Sequence, residues 1–180
     1  LLKLKEHKSS KGINILLVTP LKALSRDLKK SILNAIQFFD PNITAGIRNG
    51  DTSNYVKRKQ IINPPNILIT TPESLTLLIA NKESNKLFSN LFSIIIDEWH
   101  ELMGCKRGNQ CELALSWLRG NNQNIQIWAM SATIGNIEEA ARSILGLSSK
   151  KPKIIKSNLV KNIKIKSVIP DKIGTFPWSG

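Results

Sequence analysis

The 180-residue chain has no uninterrupted apolar run of 18 residues, and its N-terminus lacks the pattern of a secretory signal. Neither a membrane-spanning helix nor a signal peptide is therefore expected. Cysteine is scarce: Cys105 and Cys111 are the two present, beside two histidines in the whole chain. Without a Cys-x-x-Cys spacing they argue against a structural zinc site, and reduced cytosolic thiols are the simpler reading. Internal repeats and low-complexity tracts are absent. Acid is also scarce, with 13 Asp and Glu against 26 Lys and Arg, a formal net charge of +13. That excess favours an anionic partner, nucleic acid ahead of an acidic membrane or an acidic protein, although a merely basic soluble surface would also account for it. An initiator methionine is missing as well. The opening "LLKLKEHKSSKG" reads as the last turn of an amphipathic helix, and the closing "IPDKIGTFPWSG" would leave Phe176, Pro177 and Trp178 exposed. The expectation is a fragment of a larger protein.

What is present suits one sizeable domain, because 41% of the residues are hydrophobic. Short β-branched runs at 13–19, 42–47, 66–70, 92–98 and 125–131 read as buried strands. Amphipathic stretches separate most of them. Residues 24–39 place Leu28, Ile32, Ile36 and Phe39 on one stripe, and 54–62 and 72–80 give two more helices, the second opened by Pro72. Residues 109–119 form another, with an apolar face of Leu113, Ala114, Trp117 and Leu118. In 135–146, Asn136 caps, Glu139 follows three residues on, and Gly146 ends the helix. Alternation at this spacing predicts an α/β fold, a mostly parallel sheet with helices on both faces. Residues 160–170 alternate apolar and polar, as an edge strand or the start of a linker.

In open parallel sheets, ligands meet the loops beyond the carboxyl ends of the strands. Here those ends carry "TPLKALS", "TTPES", "DEWH" and "SAT". Asp97, ending a strongly apolar strand, could hold Mg²⁺ against nucleotide phosphates. Glu98 would orient or deprotonate a water, and His100 would link that site to a neighbouring loop. Ser131 and Thr133 could bridge to the same cluster, or merely satisfy loop backbone groups. Thr19, Lys22, Arg48, Gly50, Thr70 and Thr71 could form a track along a nucleic-acid backbone, since hydroxyls and free N–H groups at helix starts suit phosphate oxygens. Helix capping plus solvated charge explains each of them singly. The lysine groups Lys3, Lys5, Lys8, Lys11 and Lys150, Lys151, Lys153, Lys156 read as solvated surface, and Trp99 and Trp128 as core.

The segments "TPLKALSRDL", "GDTS…KRKQ", "PPNILITTPESL", "DEWHELMGCKRG" and "MSATIGN" resemble those of superfamily 2 DExH-box helicases. More closely they resemble the Lhr-type group, which includes the bacterial ligase-associated DEXH-box DNA helicase; "DEWHEL…KRG" and "FPWSG" carry that subgroup match. The likeness runs from about residue 12 to residue 180. It implies a first RecA-like motor domain over 1–165 and, over 166–180, the start of a linker toward a second motor domain of the same parent. It implies ATP and Mg²⁺ as cofactors, with Asp97 the magnesium-associated acid, Glu98 the catalytic base, and His100, Ser131 and Thr133 the coupling group. It assigns strand contacts to Thr19, Pro20, Lys22, Arg48, Gly50, Asp51, Thr70, Thr71 and Pro72; for Arg107, coupling and a strand contact both stand open. The implied activity is ATP-driven movement on single-stranded or partly duplex DNA, 3′ to 5′. The setting implied is the cytoplasm and nucleoid of a bacterium, with DNA repair and a ligase or nuclease pathway as context.

One element of the pattern is missing: the 180 residues contain no Gly-x-x-x-x-Gly-Lys-Thr loop. The chain alone is accordingly expected to be inactive. An RNA-directed helicase, a non-catalytic nucleic-acid-binding module and a metal-dependent phosphatase or nuclease are the alternatives.

Overall fold

The computed structural model describes residues 12–146 and 151–157. The predicted readings at residues 1–11, 160–170 and 176–178, and at Lys150 and the Phe39 side chain, lie outside them. The chain divides into two units, Leu1–Lys150 and Lys151–Gly180. Within the second, residues 151–157 carry no regular secondary structure, and Lys151, Lys153 and Lys156 are exposed. Every helix and strand among the described residues belongs to the first unit.

Five β-branched runs form strands β1 (Ile15–Val18), β2 (Ala45–Arg48), β3 (Ile67–Thr70), β4 (Ser93–Ile96) and β5 (Gln126–Ala129). They make one all-parallel sheet in the order β2-β3-β1-β4-β5. Between them lie α1 (Lys22–Phe39), α2 (Asn54–Ile62), α3 (Pro72–Ile79), α4 (Ser84–Leu87), α5 (Trp99–Leu102) and α6 (Lys106–Asn121); α7 (Ile137–Leu145) follows β5. β1, β3 and β4 are apolar on both faces because both faces are covered. Leu16, Val18, Leu68, Ile94 and Ile96 join the core shared with α3, α5, α6 and α7, whereas Ile15, Ile67 and Ile95 meet Ile32 and Ile36 of α1. The doubly wound α/β architecture follows from that two-sided burial.

The register places the candidate site. Val18 lies opposite both Thr70 and Ile96, Arg48 opposite Thr70, and Ile96 opposite Ala129. All five strands therefore stop at one level, and the next residues of each share one rim. From β1 the chain turns toward β2 and β3; from β4 it turns the other way, to β5. The crevice between the ends of β1 and β4 is thus the switch point of the sheet, where open α/β folds bind ligands.

Three readings need correction. The strand predicted over 92–98 ends at Ile96, because Glu98 takes the left-handed conformation (φ 48°, ψ 48°) and starts α5. On α6 the buried stripe is Cys111, Ala114, Leu115 and Leu118, spaced 3, 1 and 3 residues apart, while Leu113 is 72% exposed. Trp128 is 53% exposed, since β5 is an outer strand among the described residues. The capped helix behaves as read: the Asn136 side chain accepts the Glu139 N–H at 3.2 Å, and Gly146 closes α7 at φ 57°.

Burial separates the two thiols. Cys111 is fully enclosed under α6, and desolvation, helped by Glu112, raises its pKa to about 12; Cys105 is only partly covered. In the native chain at pH 8, one thiol should react rapidly with a disulfide reagent, and the Cys105→Ser variant should lose that fast phase. Two equally fast thiols would show that α6 does not pack as described.

Candidate functional site

Immediately beyond β4 the backbone is held from both sides. The Asp97 N–H donates to the Val18 carbonyl at 2.9 Å, and the Trp99 N–H donates to the Met130 carbonyl at 2.9 Å. Glu98 sits between these two anchors, which tie it to the exits of β1 and β5. That pinning holds a bulky residue in the left-handed region, at a cost of about 1–3 kcal/mol. The Glu98 N–H turns back to Asp97 Oδ1 at 3.1 Å.

The imidazole of His100 gathers the rest. Its Nδ1 lies 2.9 Å from Ser131 Oγ and 3.3 Å from Glu98 Oε2, and its Nε2 lies 3.4 Å from Glu101 Oε1. Ser131 Oγ also donates to the Thr133 carbonyl at 3.1 Å. Ser131 Oγ thus bridges the imidazole and the Thr133 carbonyl, and the Glu98 carboxylate stands beside the same ring nitrogen. The network thus joins Glu98, His100, Ser131 and Thr133, the last through its backbone carbonyl, with its side chain exposed. Glu101 enters it without having been singled out in the sequence, because only the turn of α5 brings it to Nε2.

Beneath this network two features fix α5. Trp99 is fully buried and its indole N–H donates to the Ala140 carbonyl of α7 at 3.3 Å. Gly108 lies so close to α5 that an added Cβ would sit 1.9 Å from the Leu102 carbonyl oxygen, so the corner between α5 and α6 closes only around glycine.

The rest of the rim is built from three loops. Pro20 is buried and α1 starts at Lys22 without a side-chain cap; α3 likewise starts at Pro72 with no side-chain cap from Thr71. The first-turn N–H groups of α1 are thereby left for an anion, whereas at α3 the Glu73 carboxylate folds back on its own N–H. The threonines of the predicted track point inward. Thr19 is fully buried with its N–H on the Thr70 carbonyl, Thr70 Oγ1 donates to the Arg48 carbonyl at 2.8 Å, and Thr71 Oγ1 faces Ser74 Oγ at 3.4 Å. Arg48 is turned to α2, donating to the Lys57 carbonyl at 2.9 Å and to Gln60 Oε1 at 3.4 Å, and burial lowers its pKa. These four side chains shape loops in this arrangement and do not present themselves to a polyanion.

Exposed on the rim are Lys22, Gly50 and Asp51. Lys22 Nζ meets Asp51 Oδ1 at 2.8 Å directly over Gly50, and the hydrogen bond and charge of Lys22, with Arg26 and Lys57 behind it, hold the Asp51 carboxyl below its usual range. Arg107 reaches in from α6, its Nε 2.5 Å from Glu73 Oε1 and its Nη2 2.5 Å from the Pro20 carbonyl oxygen. Glu73 carried no assigned role in the sequence; its partner stands 34 residues away, and no local signal announces the pair.

Among the described residues, no three His, Cys, Asp or Glu side chains converge as a metal cage. Asp97 still fits Mg²⁺ in the manner that ion favours, one carboxylate completed by water and substrate phosphates. One Asp97 oxygen takes the Glu98 N–H and the side chain is only partly buried.

An all-parallel sheet with an acid pair at its switch point has the architecture of a RecA-like motor domain. A family model described as DEAD/DEAH box helicase matches residues 1–140, and the chain belongs to that family. It is 32% identical over 164 residues to the ATP-dependent helicase Lhr-Core of Saccharolobus solfataricus, covering 86% of this chain and 18% of that protein. Among solved structures, Mycobacterium smegmatis helicase Lhr bound to ssDNA and AMP-PNP aligns with a TM-score of 0.68 at 32% identity, over 78% of this chain and 20% of that one. The helicase MrfA bound to DNA and AMPPNP aligns with a TM-score of 0.65 at 28% identity, over 74% of this chain and 19% of that one. The chain therefore spans about a fifth of the length of these relatives.

Proposed function

We propose that this chain forms part of an ATP-dependent motor that moves on single-stranded DNA, 3′ to 5′, with these residues as its first motor domain. The observation carrying the proposal is the cluster beside Asp97 in which His100 is hydrogen-bonded to Ser131 and stands 3.3 Å from the Glu98 carboxylate, at the switch point and level with the strand-end rim. Asp97 would hold Mg²⁺, and the ion would neutralise charge on the terminal phosphates. Glu98, pinned by Val18 and Met130, is set to take a proton from an attacking water. His100 hands any shift of Glu98 to the loop after β5 through Ser131. The uncapped start of α1, with Lys22, would follow the strand's phosphates, and the buried threonines would keep the loops of the rim in shape.

Because the 180 residues hold no Gly-x-x-x-x-Gly-Lys-Thr loop, nothing in them cradles the nucleotide phosphates, and we infer that the chain alone does not hydrolyse ATP. DNA is preferred to RNA here because the Lhr and MrfA structures described above were solved with DNA. The test is a chimera in which this domain replaces the matching segment of M. smegmatis Lhr. Its magnesium-dependent hydrolysis would be measured without polymer, with single-stranded DNA and with RNA of the same sequence. Stimulation by DNA well above RNA supports the proposal. Equal or stronger stimulation by RNA moves the substrate to RNA, and a folded chimera that never hydrolyses ATP points to a binding module.

A further inference from the structure

We propose that Arg107 is a positioning residue: its guanidinium clamps the loop after β1 to the start of α3 and so sets the spacing of the two loops that receive the nucleic-acid backbone. The strand-receiving role of those loops rests on the proposed function; the clamp itself rests on geometry. Two edges of one planar fork are used at once, Nε on Glu73 Oε1 and Nη2 on the Pro20 carbonyl, each at 2.5 Å. A guanidinium offers these donors at fixed angles, so satisfying both fixes the two acceptors relative to each other.

The placement of Arg107 on its own helix points the same way. It stands in the first turn of α6 next to Lys106, with no acid in that turn. Two cations at the positive end of a helix are unfavourable, so local helix electrostatics do not explain an arginine there. Partners outside the helix do. Glu73, by contrast, occupies the first turn of α3, where a carboxylate is favoured. Behind Arg107, Gly108 seats α6 against the Leu102 carbonyl of α5, the helix that carries His100. The clamp therefore stands on a base that is continuous with the Glu98–His100–Ser131 group.

Stability is a poor explanation of the pair. Its side chains are 37% and 49% exposed, and ion pairs that wet contribute little to folding. The competing explanation is that Arg107 is itself a phosphate contact, with Glu73 a stand-in that the strand displaces. The two predict opposite signs for one substitution. Glu73→Gln removes negative charge from the rim, so a direct contact released from its carboxylate would bind a strand more tightly. A clamp whose jaw keeps an acceptor oxygen but loses the charge that grips the guanidinium would bind it more weakly.

The experiment uses the 180-residue chain, a labelled oligodeoxythymidine, and fluorescence anisotropy across a salt series for the wild type, Glu73→Gln, Arg107→Gln and the double variant. The clamp predicts that both single variants weaken binding by about threefold to tenfold, and that the double variant is no worse than the weaker single. The salt dependence should stay that of the wild type. Tighter binding by Glu73→Gln, or a salt slope lowered by about 0.7 in Arg107→Gln, overturns the proposal in favour of a phosphate contact. Amide exchange on the same proteins supplies a readout independent of any ligand. Arg26 to Lys29, the first amides of α1 with carbonyl partners in the helix, should exchange faster in both single variants while Ile67 to Thr70 keep their protection, and unchanged exchange at Arg26 to Lys29 overturns the clamp. If the wild type does not retain the oligomer, the strand-binding reading of this chain has failed, and exchange alone decides the clamp.

Discussion

Glu98→Gln should lower the DNA-stimulated ATP hydrolysis of the chimera by a factor of about 10² to 10⁴, the range that a positioned general base contributes. Glutamine keeps the length and planarity of the side chain. It also keeps a polar atom where Glu98 Oε2 now stands 3.3 Å from His100 Nδ1. The backbone constraint is unchanged, because the hydrogen bonds that bracket position 98 are made by Asp97 and Trp99. What disappears is the ability to accept a proton from water. Binding of single-stranded DNA should therefore survive while turnover does not, and the loss should fall on kcat more than on the KM for ATP. Measuring both in parallel checks the assignment. A variant that keeps more than about a tenth of its turnover would remove Glu98 as the base. A variant that loses strand binding as well would recast it as a structural support of the rim.

Much of this arrangement is legible in the order of the residues, and the reason is local. The five apolar runs are β-branched, short and bounded by polar turns, so their period and length announce strands of a parallel sheet, but not that β2 is only half-buried and β5 largely exposed at the sheet's edges. Asn136, Glu139 and Gly146 announce a helix in the same local way. Whatever depends on partners distant in sequence fails to show. Leu113 is as apolar as Leu115, yet only Leu115 is in phase with Cys111, Ala114 and Leu118 on the face that packs inward. The paired carboxylates look like the end of a strand, but the left-handed turn at Glu98 exists because Val18 and Met130 hold its neighbours. Threonines at strand ends read as phosphate contacts, and their hydroxyls turn inward only because the Arg48 carbonyl and Ser74 await Thr70 and Thr71. Arg107 has its partners in the loop after β1 and the first turn of α3, which the sequence separates from it by tens of residues. Residue type and spacing specify the chemistry on the rim; tertiary contacts decide which atoms face the solvent.

Trp99→Ala should destabilise the chain by about 3–5 kcal/mol, the cost of emptying a buried aromatic site. Trp99 is the largest of the fully enclosed side chains among the described residues, packed in one core with Leu102, Cys111, Ala140 and Ile144. Its indole N–H also reaches the Ala140 carbonyl. That hydrogen bond is not the main source of the loss. The Ala140 carbonyl also accepts from Ser143 Oγ at 3.0 Å, so removing the indole donor leaves no orphaned acceptor. Trp99→Phe, which keeps most of the volume and discards the donor, should therefore cost under about 1.5 kcal/mol. Urea unfolding of the three proteins, compared at unchanged m, separates the two contributions. Phenylalanine as damaging as alanine would make the hydrogen bond the larger contribution, and a small loss for alanine would mean that the core around α5 collapses to fill the space. The position of this residue gives the result a second meaning. Trp99 lies between Glu98 and His100 and fastens both to the core, so the cavity lies directly under the candidate catalytic group. Loosening that anchor frees Glu98 from the geometry that Val18 and Met130 impose. In the chimera, Trp99→Ala should consequently lose turnover at temperatures where the domain is still folded, whereas Trp99→Phe should not.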